Sequence, residues 1–128
     1  MNKTSVKAKL EMIQAFANFM DNGSESATVI FYKGTQPASP EVAVDSGDAL
    51  VTLIFPEPCI KETTATYVEL YPTDTATVIK TGTATWARIH NGLGEAAADL
   101  SVGTDIMLAN TNLVTGGTLN IQSIKFRP

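Results

Sequence analysis

The sequence predicts a mainly β domain, an antiparallel β-sandwich or jelly-roll-like body carrying one N-terminal amphipathic α-helix. Three observations lead there. Apolar residues recur at helical spacing only within the first twenty or so positions. Beyond Gly23 the pattern changes to short runs of β-branched and aromatic residues, interrupted by Gly, Pro, Asn and Asp. Across 128 residues no repeat or linker divides the chain, so positions 1–128 read as one domain of common size.

The helix comes first. Val6, Leu10, Ile13, Ala17 and Met20 follow one another at steps of four and three, and Met12, Phe16 and Phe19 widen the stripe. Thr4 or Ser5 offers an N-cap oxygen to the first unpaired amides, and Asn22-Gly23 supplies residues tolerant of the left-handed conformation that ends a helix. The expected span is 5–21, with the β body over 27–128.

Strands are expected at Thr28–Lys33, Ala49–Phe55, Thr66–Tyr71, Ala76–Lys80, Thr83–His90, Glu95–Val102, Ile106–Leu108 and Thr118–Phe126. The first two are apolar at both parities, as in strands covered on both faces. Between them, Gly34-Thr-Gln-Pro-Ala-Ser-Pro holds two prolines that cannot donate to a ladder and so reads as an extended loop. Pro56-Glu-Pro58 ends the second strand in the same way. Asn91-Gly92, followed by Leu93-Gly94, signals a hairpin turn with a bulge. Near the C-terminus the parity change between Leu119/Ile121 and Ile124/Phe126 places a further bulge at Gln122-Ser123.

Charge and composition narrow the function. Hydrophobic residues make up 44% of the chain and charged residues 17%, which argues against disorder and leaves room for a surface covered by protein. A net charge of −4 without a cluster of Lys or Arg disfavours nucleic acid. The first residues lack the apolar core of a secretory signal, and no apolar run reaches membrane-spanning length. The expected site of synthesis is therefore the cytoplasm, without membrane insertion. Cys59 is the lone cysteine and reads as a buried thiol.

No group of residues announces catalysis, and neither a cofactor nor a metal is expected. His90, the single histidine, sits before a turn with no local nucleophile signature. Glu41, Asp45 and Asp48 lack the alternating ligands and closing Glu of a calcium loop. Glu57, Glu62 and Glu69 show no acid–base pairing, and Thr115-Gly116-Gly117 precedes a strand, where no helix N-terminus could cradle phosphate. Trp86 alternates with Arg88 along one strand face. Both, with Tyr67 and Tyr71, form the candidate interaction surface, although a Trp in a small domain is more often core. Threonines at 73, 75, 77, 81, 83 and 85 suit the outer faces of strands.

One further set of features lies in the punctuation. Val29-Ile-Phe-Tyr-Lys-Gly-Thr-Gln-Pro-Ala leads to Ser46-Gly-Asp-Ala-Leu-Val-Thr-Leu. Then come Gly82-Thr-Ala-Thr-Trp-Ala-Arg-Ile-His-Asn-Gly, Asp99-Leu-Ser-Val and Asn110-Thr-Asn-Leu-Val-Thr-Gly-Gly-Thr-Leu-Asn-Ile. Together these phrases resemble small β-rich virion structural proteins of tailed bacteriophages and prophages, over most of the chain after Gly23. The chain departs from that pattern in having Leu100 before Ser-Val, where such proteins often place a glycine, and in its long helix. The resemblance implies a non-enzymatic virion component, tail-associated or capsid-decorating, whose partners are itself and other virion proteins. A carbohydrate- or receptor-binding module using Trp86, Tyr67 and Tyr71 on a host surface glycan is the alternative.

Overall fold

A computed structural model describes residues 5–64, 66–106, 108, 110–121 and 124–126. It is mainly β with one α-helix, and every strand pairing is antiparallel. Helix α1 runs Val6–Met20. Ser5 is its N-cap, its hydroxyl accepting from the Ala8 amide at 3.1 Å, and Gly23 lies just beyond its end at φ 106°.

The principal sheet has the order β2-β1-β7-β8, from Ala49–Ile54 (β2), Thr28–Tyr32 (β1), Trp86–His90 (β7) and Ala96–Ser101 (β8). A three-stranded sheet joins Ile124–Phe126 (β11), Val68–Leu70 (β4) and Ile60–Thr63 (β3), in that order. Two short ribbons complete the body, Thr118–Leu119 (β10) with Ala76–Thr77 (β5), and Gly82–Thr83 (β6) with Asn112–Leu113 (β9).

Two of the expected strands divide for one reason, the chain leaving one ladder for another, and the strand expected at Ala76–Lys80 ends at Thr77. The run expected at Thr83–His90 divides at Ala84 and Thr85. Ala84 donates its amide to Thr111 and Thr85 to Tyr32, so the chain passes from the β9 ribbon into the principal sheet at that corner. The run expected at Thr118–Phe126 divides similarly, β10 lying on β5 and β11 on β4. The bulge expected at Gln122-Ser123 lies outside the described residues. Ile106 makes only an isolated bridge to Val102, while β3 and β9 are strands that the apolar pattern does not mark. Ile60–Thr63 has a single apolar residue, and a two-residue ribbon is too short to show periodicity.

Val29, Phe31, Val51, Leu53, Ala87 and Ile89 point from the principal sheet into the core, where Ala17 and Met20 of α1 join them. The helix is fastened by its C-terminal half. Asp21 accepts the Cys59 amide at 3.0 Å, the Cys59 thiol donates to the Ala17 carbonyl at 3.6 Å, and Thr63 donates to Gln14 at 2.8 Å.

The exit from the helix rests on the β7–β8 hairpin with no room to spare. A Cβ on Gly92 would stand 1.9 Å from the Glu25 carbonyl oxygen, and one on Gly23 would stand 2.5 Å from the Gly92 carbonyl carbon. Backbone meets backbone there, which only glycine permits. The hairpin itself is closed by Asn91, whose amide donates to the Glu95 carbonyl and whose Oδ1 accepts from the Leu93 and Glu95 amides, with a register shift at Ile89/His90.

Candidate functional site

The face of the principal sheet turned away from the core carries Tyr32, Trp86, Arg88 and Asp99, and register explains why they meet. Tyr32 lies directly across from Trp86, and Arg88 directly across from Asp99. The Tyr32 and Trp86 rings stack 4.5 Å apart at 17°, and the Arg88 guanidinium lies 5.4 Å from the Trp86 ring centroid. Arg88 grips Asp99 with two bonds, Nε to Oδ1 at 2.7 Å and Nη2 to Oδ2 at 3.0 Å. The paired carboxylate raises the guanidinium's pKa further, while burial raises that of the Tyr32 hydroxyl.

What covers this face is the two-proline loop, residues 34–45, which crosses it as a strap. Arg88 donates from Nη1 to the Val42 carbonyl at 2.7 Å and from Nη2 to the Ser39 carbonyl at 3.3 Å. Thr85 donates to the Gly34 carbonyl at 2.6 Å and Ser101 to Gln36 Oε1 at 2.6 Å. Both faces of β1 are thus covered, one by the core and one by the strap, which accounts for its apolar character at both parities; β2, expected to be covered in the same way, instead leaves Thr52 and Ile54 exposed on that face. Arg88 is spent on one carboxylate and two carbonyls.

The four candidate surface residues therefore do not form one exposed surface: Trp86 and Arg88 stay together but buried, apart from the two tyrosines. Trp86 is 2% exposed and Arg88 is buried, both beneath the strap, so neither presents a stacking face to solvent. Tyr71 is exposed after β4, and half-buried Tyr67 donates to Glu62 at 2.9 Å. The Trp86 platform fails for a physical reason: Tyr32 occupies its ring, and the strap closes over the pair. No local signal in the sequence gives the pairing of Arg88 with Asp99, because it depends on strand register.

His90 is half-buried on the same strand face, and its Nδ1 has no hydrogen-bond partner among the described residues, as is true of Trp86 Nε1. Desolvation, then the nearby Arg88 charge, lower its pKa, against a smaller opposing effect of Asp99. The Cys59 thiol is pushed up to about 12, chiefly by burial and then by Asp21. In the acidic loop Asp45 Oδ1 accepts the Gly47 amide at 2.8 Å, and Lys80 donates to the Gly47 carbonyl. The Ser39 side chain, hydrogen-bonded to Glu41, lowers that carboxyl's pKa. Among the described residues no three His, Cys, Asp or Glu side chains gather as a metal ion requires, and no helix is long and apolar enough to cross a membrane. Of the threonines expected on outer strand faces, Thr77 and Thr83 lie in strands and are exposed, while Thr75, Thr81 and Thr85 are exposed but outside strands. Thr73 is an exception, buried with its hydroxyl accepting the Ile121 amide at 2.9 Å.

One concavity has a floor of core residues and a rim that includes the exposed Val114. It is a cleft of about 360 Å³ bordered by Val78, Leu113, Val114 and Leu119, with Asn110, Asn112 and Thr118. Backbone bonds from Val78 to Gly117 and from Gly116 to Val78 hold its two loops together. Comparison with protein-family models, with curated proteins and with solved structures finds no match to this chain.

Proposed function

We propose that the chain is a non-enzymatic bacteriophage virion structural protein, tail-associated or capsid-decorating, built on an antiparallel β-sandwich or jelly-roll-like body and acting through protein–protein assembly. The observation that carries this reading is the character of the exposed surface. Ile79 is 68% exposed and Val114 62%, on loops that adjoin at the cleft, and Met12 on α1 is 64% exposed. Apolar side chains exposed on adjoining segments, as Ile79 and Val114 are, favour cover by a partner. The strongest polar groups are meanwhile occupied internally, Arg88 by Asp99 and the strap. The phage-like phrasing over most of the chain supports the same reading.

Mass spectrometry of purified particles from the source phage or prophage tests it. The chain is expected in intact virions at a stoichiometric level, and its absence would defeat the proposal.

A further inference from the structure

We infer that the N-terminal half of α1 is a docking arm by which one copy of this chain binds the next, Met12 seating in the cleft between β9 and β10. The inference rests on the assembly reading above and names a first partner, a second copy.

Three observations point to that partner. The contacts that fasten the helix lie in its C-terminal half: Gln14, Ala17, Met20 and Asp21 tie it to the body, whereas Val6 is 56% and Met12 64% exposed. The exposed end is also the basic end. Residues 1–20 hold three lysines against Glu11, and residues 21–128 hold six cations against twelve carboxylates, so a segment of +2 precedes a body of −6. Such a split steers the arm of one copy toward the body of another. Two arms packed on each other would bring together like net charges and leave the acidic body unused.

The third observation is the receptor. The cleft has apolar walls from Val78, Leu113, Val114 and Leu119, and it is pre-formed by the ladder between its loops. A methionine, unbranched and polarisable, adapts to such a space. Val114, 62% exposed and lining the cleft, would be covered by the same contact. Because arm and cleft are different surfaces, the interface is heterologous, and repetition gives a ring or an open array.

Sedimentation velocity of the full chain over a range of concentrations tests this, with Met12→Asp and Val114→Asp as partners. Both positions are exposed in the single chain, so unchanged circular dichroism and melting temperature verify folding. The unmodified chain is expected to associate, more weakly as salt rises. Each variant alone is expected to associate roughly tenfold or more weakly. Mixed in equal amounts, they retain one intact arm and one intact cleft, and are expected to form a dimer that grows no further. Lys7→Glu with Lys9→Glu is expected to weaken association without altering the fold.

An unmodified chain that stays monomeric at every concentration would overturn the inference. So would a Val114→Asp variant that associates normally while Met12→Asp does not, since the arms would then pair with each other. A monomeric chain that is nevertheless present in virions overturns the arm alone. A self-associating chain absent from virions overturns the virion reading alone.

Discussion

Replacing Arg88 by methionine should destabilise the protein far more than loss of an ordinary surface charge would. The exchange keeps much of the aliphatic stem on Trp86 and removes the guanidinium, and with it four hydrogen bonds, two to Asp99 and two to strap carbonyls. What remains is a carboxylate whose side chain is only 4% exposed and has lost its cation. Breaking a buried pair from one side costs ~3–5 kcal/mol, because the surviving charge stays desolvated. Asp99→Leu should cost less, about 2–3 kcal/mol, since Arg88 still donates to Val42 and Ser39. The double variant removes both charges, and its loss should be ~1–2 kcal/mol, mainly the strap bonds. Urea unfolding followed by Trp86 fluorescence gives the three values and their coupling. Limited proteolysis within 38–44 supplies a second reading. Cleavage should accelerate in Arg88→Met and in the double variant, and change little in Asp99→Leu. A loss below about 1 kcal/mol for Arg88→Met, the range of exposed ion pairs, would refute the reasoning. So would a double variant no more stable than the worse single one.

Three other expectations can be checked on the same purified chain. Gly92→Ala should lose about 2–3 kcal/mol through overpacking against Glu25, while Gly94→Ala, which meets no atom within 4 Å but sits at φ 81°, should lose only about 1 kcal/mol; chemical denaturation would show whether the order reverses. The Cys59 thiol, with a pKa near 12, should react with an aromatic disulfide reagent only at the rate of opening, and rapid stoichiometric labelling of native protein would contradict this. His90 has a folded pKa below the ordinary histidine value, so the unfolded chain binds its proton first as pH falls; the stability that neutral His90 gives is complete above the unfolded pKa and is lost from there down to the folded one. Unfolding at neutral and mildly acidic pH should show that slope in the unmodified chain and a flatter one in His90→Gln, and equal slopes would count against it.

The helix was legible because its signal is local. Cap, stripe and terminating glycine all lie within one segment, and the observed Val6–Met20 sits inside the expected 5–21. Strand β1 was legible for a similar reason, since cover on both faces leaves a continuous apolar run, whereas β2 shows the same run although Thr52 and Ile54 stay exposed. The short ribbons were not. Gly82–Thr83 and Asn112–Leu113 exist because two chain segments meet at a corner, and neither segment carries a period of its own. Where Ala84 and Thr85 change ladders, the apolar and β-branched pattern continues unbroken, so one run in the sequence becomes two strands in space.

The same distinction separates the two halves of the candidate site. That Trp86 and Arg88 share a strand face follows from their spacing alone. What they do there follows from contacts with residues at positions 32, 39, 42 and 99, which only the register of β1 and β8 and the course of the strap bring near. An arginine beside a tryptophan is chemically suited either to receive a ligand or to hold down a loop. Asp99 decides between them, because a bidentate partner and two strap carbonyls together claim four donor–acceptor contacts of the guanidinium. A loop rich in proline has few donors with which to fasten itself, but its carbonyls remain free to accept. A buried arginine, carrying five donors in a fixed fork, suits that need better than lysine would. The residue that most resembled a binding group in the sequence is thus the one that binds the protein's own strap. The large apolar side chains that stay exposed, Met12, Ile79 and Val114 among them, carry no motif in the sequence, because exposure, unlike residue type, is a property of the fold.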